Sequence, residues 1–215
     1  VLPIAGLVGT NNLSTAIIIL GIAVILGFVA NPKFLPFIGL GLLGIVFAGI
    51  FLSVESYRLE RIAIWRNPEL YEKGYQTMQG LYAIGSGGIF GVGLGKSMQK
   101  LGFVPEAQND MIFSIICEEL GLAGACGVIL LFGFLIWRLM VIATHIPDLS
   151  GTLLVTGVMG HIMIQVILNI AVVTNTIPNT GITLPLISYG GTSVVFLLME
   201  MGLVLSVSRE MKKEH

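Results

Sequence analysis

Charged side chains are scarce in this sequence: Asp, Glu, Lys and Arg make up 11% of its 215 residues, against about 25% in an ordinary soluble domain. Eleven basic and twelve acidic residues are too few to cover the water-facing surface of a chain this long. An autonomous soluble domain is therefore excluded. The net charge of -1 gives no sign of the basic footprint that nucleic-acid binding requires. Histidine occurs only as His145, His161 and His215, without the clustered spacing of a zinc site. Cys117 and Cys126 lie nine residues apart in one predicted helix, and at about 100° per residue they fall on opposite faces. They cannot pair with each other.

Apolar residues fill the sequence instead, at 55%, with a mean hydropathy of +0.94. Lipid must cover what water cannot, so the chain reads as an integral membrane protein, an all-α polytopic bundle. A spanning helix needs about 20 mostly apolar residues. Five segments qualify, at residues 13–30, 35–54, 111–140, 151–173 and 192–207, and they form a single membrane domain. Residues 1–9 read as the tail of an earlier helix, so the sequence is expected to be a piece of a longer polytopic protein. A long polar loop, residues 55–110, holds six basic and six acidic side chains. Topology is set by the charge of short connections rather than long loops. The ends near Lys33, Arg138 and Arg209 are thus expected in the cytoplasm and the long loop outside.

Within that loop Tyr75, Met78, Leu81 and Tyr82 recur at helical spacing, which predicts a helix over residues 71–86, either amphipathic at the interface or a plain surface helix. A glycine-rich stretch, residues 85–121, follows. Its segment FGVGLGKS, residues 90–97, is similar to a phosphate-binding loop, yet Phe90 stands where that loop needs glycine and no buried strand precedes it. Nucleotide hydrolysis is excluded. The glycines remain as positions for turns and close backbone approach.

The stretch contains PEAQND, residues 105–110, immediately before a long apolar run, which places the Asp110 carboxylate at a membrane surface. If a helix starts near Asn109, then Asp110, Ser114 and Glu118 share one face; a capping role for Asp110 fits the same position. Of the adjacent pair Glu118 and Glu119, at least one is expected to face a polar cavity or a partner helix. His161, Gln165 and Asn169 repeat the i, i+4, i+8 spacing beside Gly157 and Gly160, a pattern expected to pack helices together. Glu200 is expected to face inward, because a carboxylate in lipid is costly. The loop TIPNTGITLPLISYGG, residues 176–191, has irregular composition at membrane depth, where backbone must rest on protein or line a cavity. It is a candidate cavity wall, and a tight connector is the other reading.

Taken together, residues 57–68 (YRLERIAIWRNP), 74–95 (GYQTMQGLYAIGSGGIFGVGLG), 104–121 (VPEAQNDMIFSIICEELG) and 169–191, ending GITLPLISYGG, resemble the SEDS family of peptidoglycan polymerases, the FtsW, RodA and SpoVE group. The resemblance implies about ten spans with both termini cytoplasmic, of which this chain is the C-terminal half. It also implies that Asp110, the aspartate of a Pro-Glu-x-x-x-Asp motif, is catalytic and stands at the outer surface of the bacterial cytoplasmic membrane. Three departures stand out. The family often has His-Thr where this chain has Gln108-Asn109, Asp-Leu-Gly-Thr where it has Asn12-Leu13-Ser14-Thr15, and lysine at Thr180.

The implied substrate is lipid II, a disaccharide-pentapeptide on undecaprenyl pyrophosphate, and the implied partner is a class B penicillin-binding transpeptidase. Pyrophosphate is a good leaving group, so a single base can suffice where glycosidases generally need two carboxylates. Arg61, Gln76, Lys96, Lys100 and Glu106, all in the long loop, are the candidates for binding substrate. A divalent cation such as Mg or Mn, held by Asp110, is a further candidate for neutralising the leaving charge. Two other functions fit the same residues. One is a lipid II transporter using Glu118, Glu200 and the His161 stripe as a polar path; the other is a scaffold for the transpeptidase.

Overall fold

The computed structural model describes residues 1–31, 39, 56–209 and 211. Among the described residues all regular structure is helical. Helices α1 (Leu2–Asn11) and α2 (Leu13–Ala30) are parted at Asn12, whose backbone is extended and whose side chain accepts from the Thr15 amide at 3.1 Å. A good N-cap thus restarts the helix within an apolar run. Next come α3 (Ser56–Arg66), single 3₁₀ turns at Pro68–Leu70 and Glu72–Gly74, and α4 (Tyr75–Gly87). The long helices α5 (Ile112–His145), α6 (Leu149–Val173) and α7 (Gly191–Ser208) complete the order. Among the described helices these last three are long and apolar enough to cross a membrane. Except for Gly39, the segment 35–54 lies outside the described residues.

Small residues set how the spans meet. Helix α2 runs antiparallel to α6: a Cβ on Gly21 would press on Ile164, while Gly160 faces Ile25 and Gly157 faces Leu26. The α5–α6 turn is closed by Thr152, whose hydroxyl reaches the Ala143 carbonyl at 3.3 Å. Leu139, Val155, Ile162, Val173, Leu184 and Val204 form the buried centre of the bundle.

Helix α4 lies alongside the first turns of α5 and runs in the same direction. Its buried side is Thr77, Gly80, Ala83 and Gly87, whereas Tyr75 and Tyr82 are exposed. A Cβ on Gly80 would overlap Met111, and one on Gly87 would overlap the Cys117 carbonyl. At Gly87 the contact with α5 is therefore backbone against backbone, and Tyr75 and Tyr82 point away from it.

Helix α5 is interrupted at Gly121 (φ 67°, ψ -167°). An unbroken helix would join the Leu122 amide to the Glu118 carbonyl and the Ala123 amide to the Glu119 carbonyl. Here those four groups bond to the glycine loop after α4. The Val92 and Gly93 amides donate to the carbonyls of Glu118 and Glu119 at 2.9 and 3.0 Å, and the Leu122 and Ala123 amides donate to Gly88 and Ile89 at 2.9 and 3.0 Å. Two lost helical bonds are replaced by four. Side chains complete the splice. Glu118 accepts from the Ser97 hydroxyl and from the Met98 amide at 3.1 Å, while Glu119 accepts from the Gly95 amide at 2.9 Å and the Lys100 ammonium at 2.6 Å.

Gly91 (φ 78°) and Gly121 both need the left-handed region, and a Cβ on Gly121 would collide with the Gly91 amide and the Ile89 carbonyl. Gly121→Ala is expected to destabilise the protein by about 2–5 kcal/mol, combining backbone strain with overpacking. Gly127→Ala, at a helical glycine with open space around it, should change stability by less than about 0.5 kcal/mol. Thermal unfolding of both variants in detergent micelles checks this; equal midpoints would contradict it.

Candidate active site

Two sequence-distant segments hold the backbone before α5. The Tyr189 amide donates to the Gln108 carbonyl at 2.8 Å, the Ser188 hydroxyl to the Asn109 carbonyl at 2.6 Å, and the Asn169 amide group to the Asp110 carbonyl at 2.8 Å. Asn169, fully buried, also donates to the Ile182 carbonyl at 2.6 Å. Consecutive carbonyls 108, 109 and 110 are thus clamped by α6 and by the loop ahead of α7. Backbone fixed on one side aims the Asp110 side chain to the other.

That side opens on a cavity of about 440 Å³ lined by Arg61, Trp65, Lys73, Gln76, Asp110, Asn175 and residues 179–181, among others. Trp65 and Asn175 anchor its rim reciprocally: the indole donates to the Asn175 carbonyl at 2.9 Å, and the Asn175 side chain donates back to the Trp65 carbonyl at 3.3 Å. This pair sets α3 so that Arg61, one turn earlier, reaches the cavity. Gly74 packs so closely on the Pro68 carbonyl that no Cβ would fit, a fold that delivers Lys73 to the same wall. Gln76, in the first turn of α4, donates to both Asp110 carboxylate oxygens at 3.3 Å. The far wall is Thr180 and Gly181; the Thr180 carbonyl is tied to the Ser14 hydroxyl at 3.2 Å.

Asp110 is 7% exposed. Burial pushes its carboxyl above the ordinary aspartate value; bonds from backbone amides and from Gln76 pull it back, and the charge of Glu106 adds a smaller upward push. A buried carboxyl that holds its proton more tightly than usual, facing two basic residues across an open cavity, is equipped for proton transfer beside an anionic group.

A family described as cell cycle protein, FtsW/RodA/SpoVE, matches residues 1–213. This chain belongs to it. The FtsW/RodA/SpoVE relatives include the stage V sporulation protein E of Bacillus subtilis (strain 168), 46% identical over 201 residues. That match covers 92% of this chain and 55% of the relative. A probable peptidoglycan glycosyltransferase FtsW of Trichlorobacter lovleyi is 36% identical over 203 residues, covering 94% of this chain and 53% of that protein. Among solved structures, one of a peptidoglycan synthase complex, concerned with coordination of polymerization and crosslinking, superposes with a TM-score of 0.80 at 31% identity. It takes in 99% of this chain and 60% of that one. A mutant of the rod shape determining protein RodA from Thermus thermophilus gives a TM-score of 0.60 at 28% identity, with 99% and 55% covered. The chain spans about half the length of the curated relatives it matches.

In this FtsW/RodA/SpoVE chain the residues singled out from sequence separate into four places. Arg61, Gln76 and Asp110 meet at the cavity. Glu106 is exposed in a left-handed turn (φ 54°), where it takes the Asn109 amide group. Lys96 and Lys100 sit on the glycine loop away from the cavity wall, Lys100 paired with Glu119. The face expected for Asp110, Ser114 and Glu118 does not form, because α5 begins at Ile112 rather than at Asn109. Ser114 bonds back to the Met111 carbonyl at 2.7 Å and Glu118 serves the glycine loop. In the membrane, His161 pairs with Glu200 at 3.0 Å and Gln165 reaches Thr183 at 3.3 Å. Glu118 is thus bound up elsewhere and does not join the His161–Glu200 pair in one polar path. Lys73, Asn175 and Asn179 were not singled out; they carry no spacing signal, since turns rather than a helix bring them together.

A raised carboxyl value has a definite sign. Protonated Asp110 is tolerated below the ordinary value of 3.8, and the cost of burying its charge grows as pH rises through the raised value. Asp110→Asn is therefore expected to be at least as stable as the parent at about pH 7, with the difference vanishing below about pH 4. Thermal melts across that range are the check; a variant that is least stable at neutral pH would contradict it.

Proposed function

We propose that the protein is a peptidoglycan glycosyltransferase that polymerises lipid II, with Asp110 as the base. One observation carries this reading: a single buried carboxyl faces Arg61 and Lys73 across the cavity. The 4-hydroxyl oxygen of one sugar attacks the anomeric carbon of another. As that bond forms, the bond from the anomeric carbon to the pyrophosphate oxygen breaks, inverting the centre. Pyrophosphate leaves with the electron pair and Asp110 takes the hydroxyl proton. Gln76, bonded to both carboxylate oxygens, fixes the carboxylate's direction. Arg61 and Lys73 offer positive charge to the departing diphosphate. Burial, which disfavours the charged carboxylate, makes it a stronger base than an exposed aspartate.

Asp110 is the carboxylate that would hold a divalent cation such as Mg or Mn. Magnesium is commonly bound by one or two carboxylates plus substrate phosphates, so one protein carboxylate fits that use, and the ion would supply charge neutralisation. The likeness to a structure of a peptidoglycan synthase complex supports a class B penicillin-binding transpeptidase as partner. Arg138 and Arg209 lie toward the ends of α5 and α7 remote from Asp110, which supports a bacterial cytoplasmic membrane location with the cavity facing outward. The separation of Glu118 from the His161–Glu200 pair speaks against the transporter reading.

The test uses the full-length protein with its transpeptidase partner and labelled lipid II. Asp110→Ala is expected to lower polymerisation at least about 100-fold with the complex intact. Lys73→Ala, which removes a charge that acts as the diphosphate departs, is expected to lower kcat about tenfold with a smaller change in KM. Undiminished polymer from Asp110→Ala would overturn the assignment.

A further inference from the structure

The glycine loop that splices into α5 carries large apolar side chains on its outer surface. Phe90 is 83% exposed and Leu94 76%, and Ile89, Met98 and Leu101 are exposed with them. The height of this patch follows from α5. Its unbroken part, from Leu122 to His145, measures about 36 Å at 1.5 Å per residue, already more than the roughly 30 Å of bilayer hydrocarbon. Its far end is marked by Trp137 beside Arg138, with the guanidinium 6.0 Å from the ring centre, a pairing suited to the membrane–water boundary. Counting about 20 residues back from Arg138 reaches Glu118. The splice at 118–123, and the loop bonded to it, therefore lie where hydrocarbon meets headgroups on the cavity's side of the bilayer.

From these heights we infer that residues 88–94, with Met98 and Leu101, form a tip seated in the lipid of the leaflet on the cavity's side. Two further observations favour lipid as the occupant. Below the splice α5 continues the apolar surface through Leu130, Leu131 and Phe134, all exposed, so the tip extends the lipid-facing surface of a span. Lys96, exposed on the same loop, is placed to reach lipid phosphate while its stem stays with the tip. Helix α4 then descends toward the membrane beside α5, the glycine turn reaches the hydrocarbon, and the chain climbs back to Asp110. The tip rests on the geometry of α5 and on membrane-family membership, independently of the catalytic reading.

Spin labels on Phe90→Cys and Leu94→Cys, each in a Cys126→Ser background of the full-length protein, test this in vesicles of phosphatidylethanolamine and phosphatidylglycerol. Both positions are exposed, so labelling leaves the fold undisturbed. Collisions with oxygen, which concentrates in hydrocarbon, are expected to exceed those with an aqueous nickel chelate. Leu130→Cys should show the same order and Glu69→Cys the reverse. Dominance of the nickel chelate at Phe90 and Leu94 would overturn the proposal by placing the tip in water. Shielding from both agents would overturn it equally, by showing that protein covers the tip.

Discussion

No backbone amide or carbonyl can be left without a partner at the depth of a membrane, and this constraint organises the structure. The break at Gly121 exposes two donors and two acceptors inside a span, and the glycine loop supplies a partner for each. Gly91 and Gly121 permit the approach, and Glu118 and Glu119 hold the rest of the loop in place. Because α4 leads directly into this loop, the splice also fixes where α4 lies. Helix α4 in turn carries Gln76 to the carboxylate. The line from an interrupted helix to an oriented carboxylate is thus continuous in hydrogen bonds.

At the cavity, opposing effects act on one group. Burial disfavours the Asp110 charge, while Gln76 and the backbone amides favour it. An exposed aspartate would be a weak base, and a carboxyl deep in hydrocarbon would remain protonated. A partly closed cavity with polar walls lies between those limits. Stability and activity are set against each other at this residue, because the burial that makes it a better base also disfavours its charge in the folded chain.

Much of this was legible from the residues. Apolar run length gave the helical, membrane-spanning class, and the position of Asp110 immediately before such a run marked the candidate site. Residues 176–191 were legible as a cavity wall or a tight connector, because prolines and glycines at membrane depth need protein to rest on; Thr180 and Gly181 line the cavity. Spacing arguments failed where they assumed an unbroken helix. The register of Asp110, Ser114 and Glu118 presumed a start at Asn109, and Gly121 stands in an apolar run among other glycines with nothing local to mark it as a break. Lys73 was indistinguishable from other loop charges, since the turn at Pro68–Gly74 that directs it depends on a backbone contact rather than on a period. Lys96 and Lys100 were legible as cations of the loop but not as lying away from the cavity, because the loop's location follows from carboxylates about twenty residues later in the chain.

The clamp on carbonyls 108–110 bears on how the protein is made. Asp110 emerges from the ribosome well before the groups that fix it, Asn169, Ser188 and Tyr189. Until α6 has inserted and the loop ahead of α7 has folded back, the carboxylate has Gln76 beside it but the backbone carrying it is unclamped. Assembly of the site therefore follows the synthesis of α5 and α6, coupled to arrival of the loop ahead of α7. A chain truncated before residue 188 would hold Arg61, Lys73 and Asp110 and keep the Asn169 bond, yet lack the two clamp bonds made by Ser188 and Tyr189.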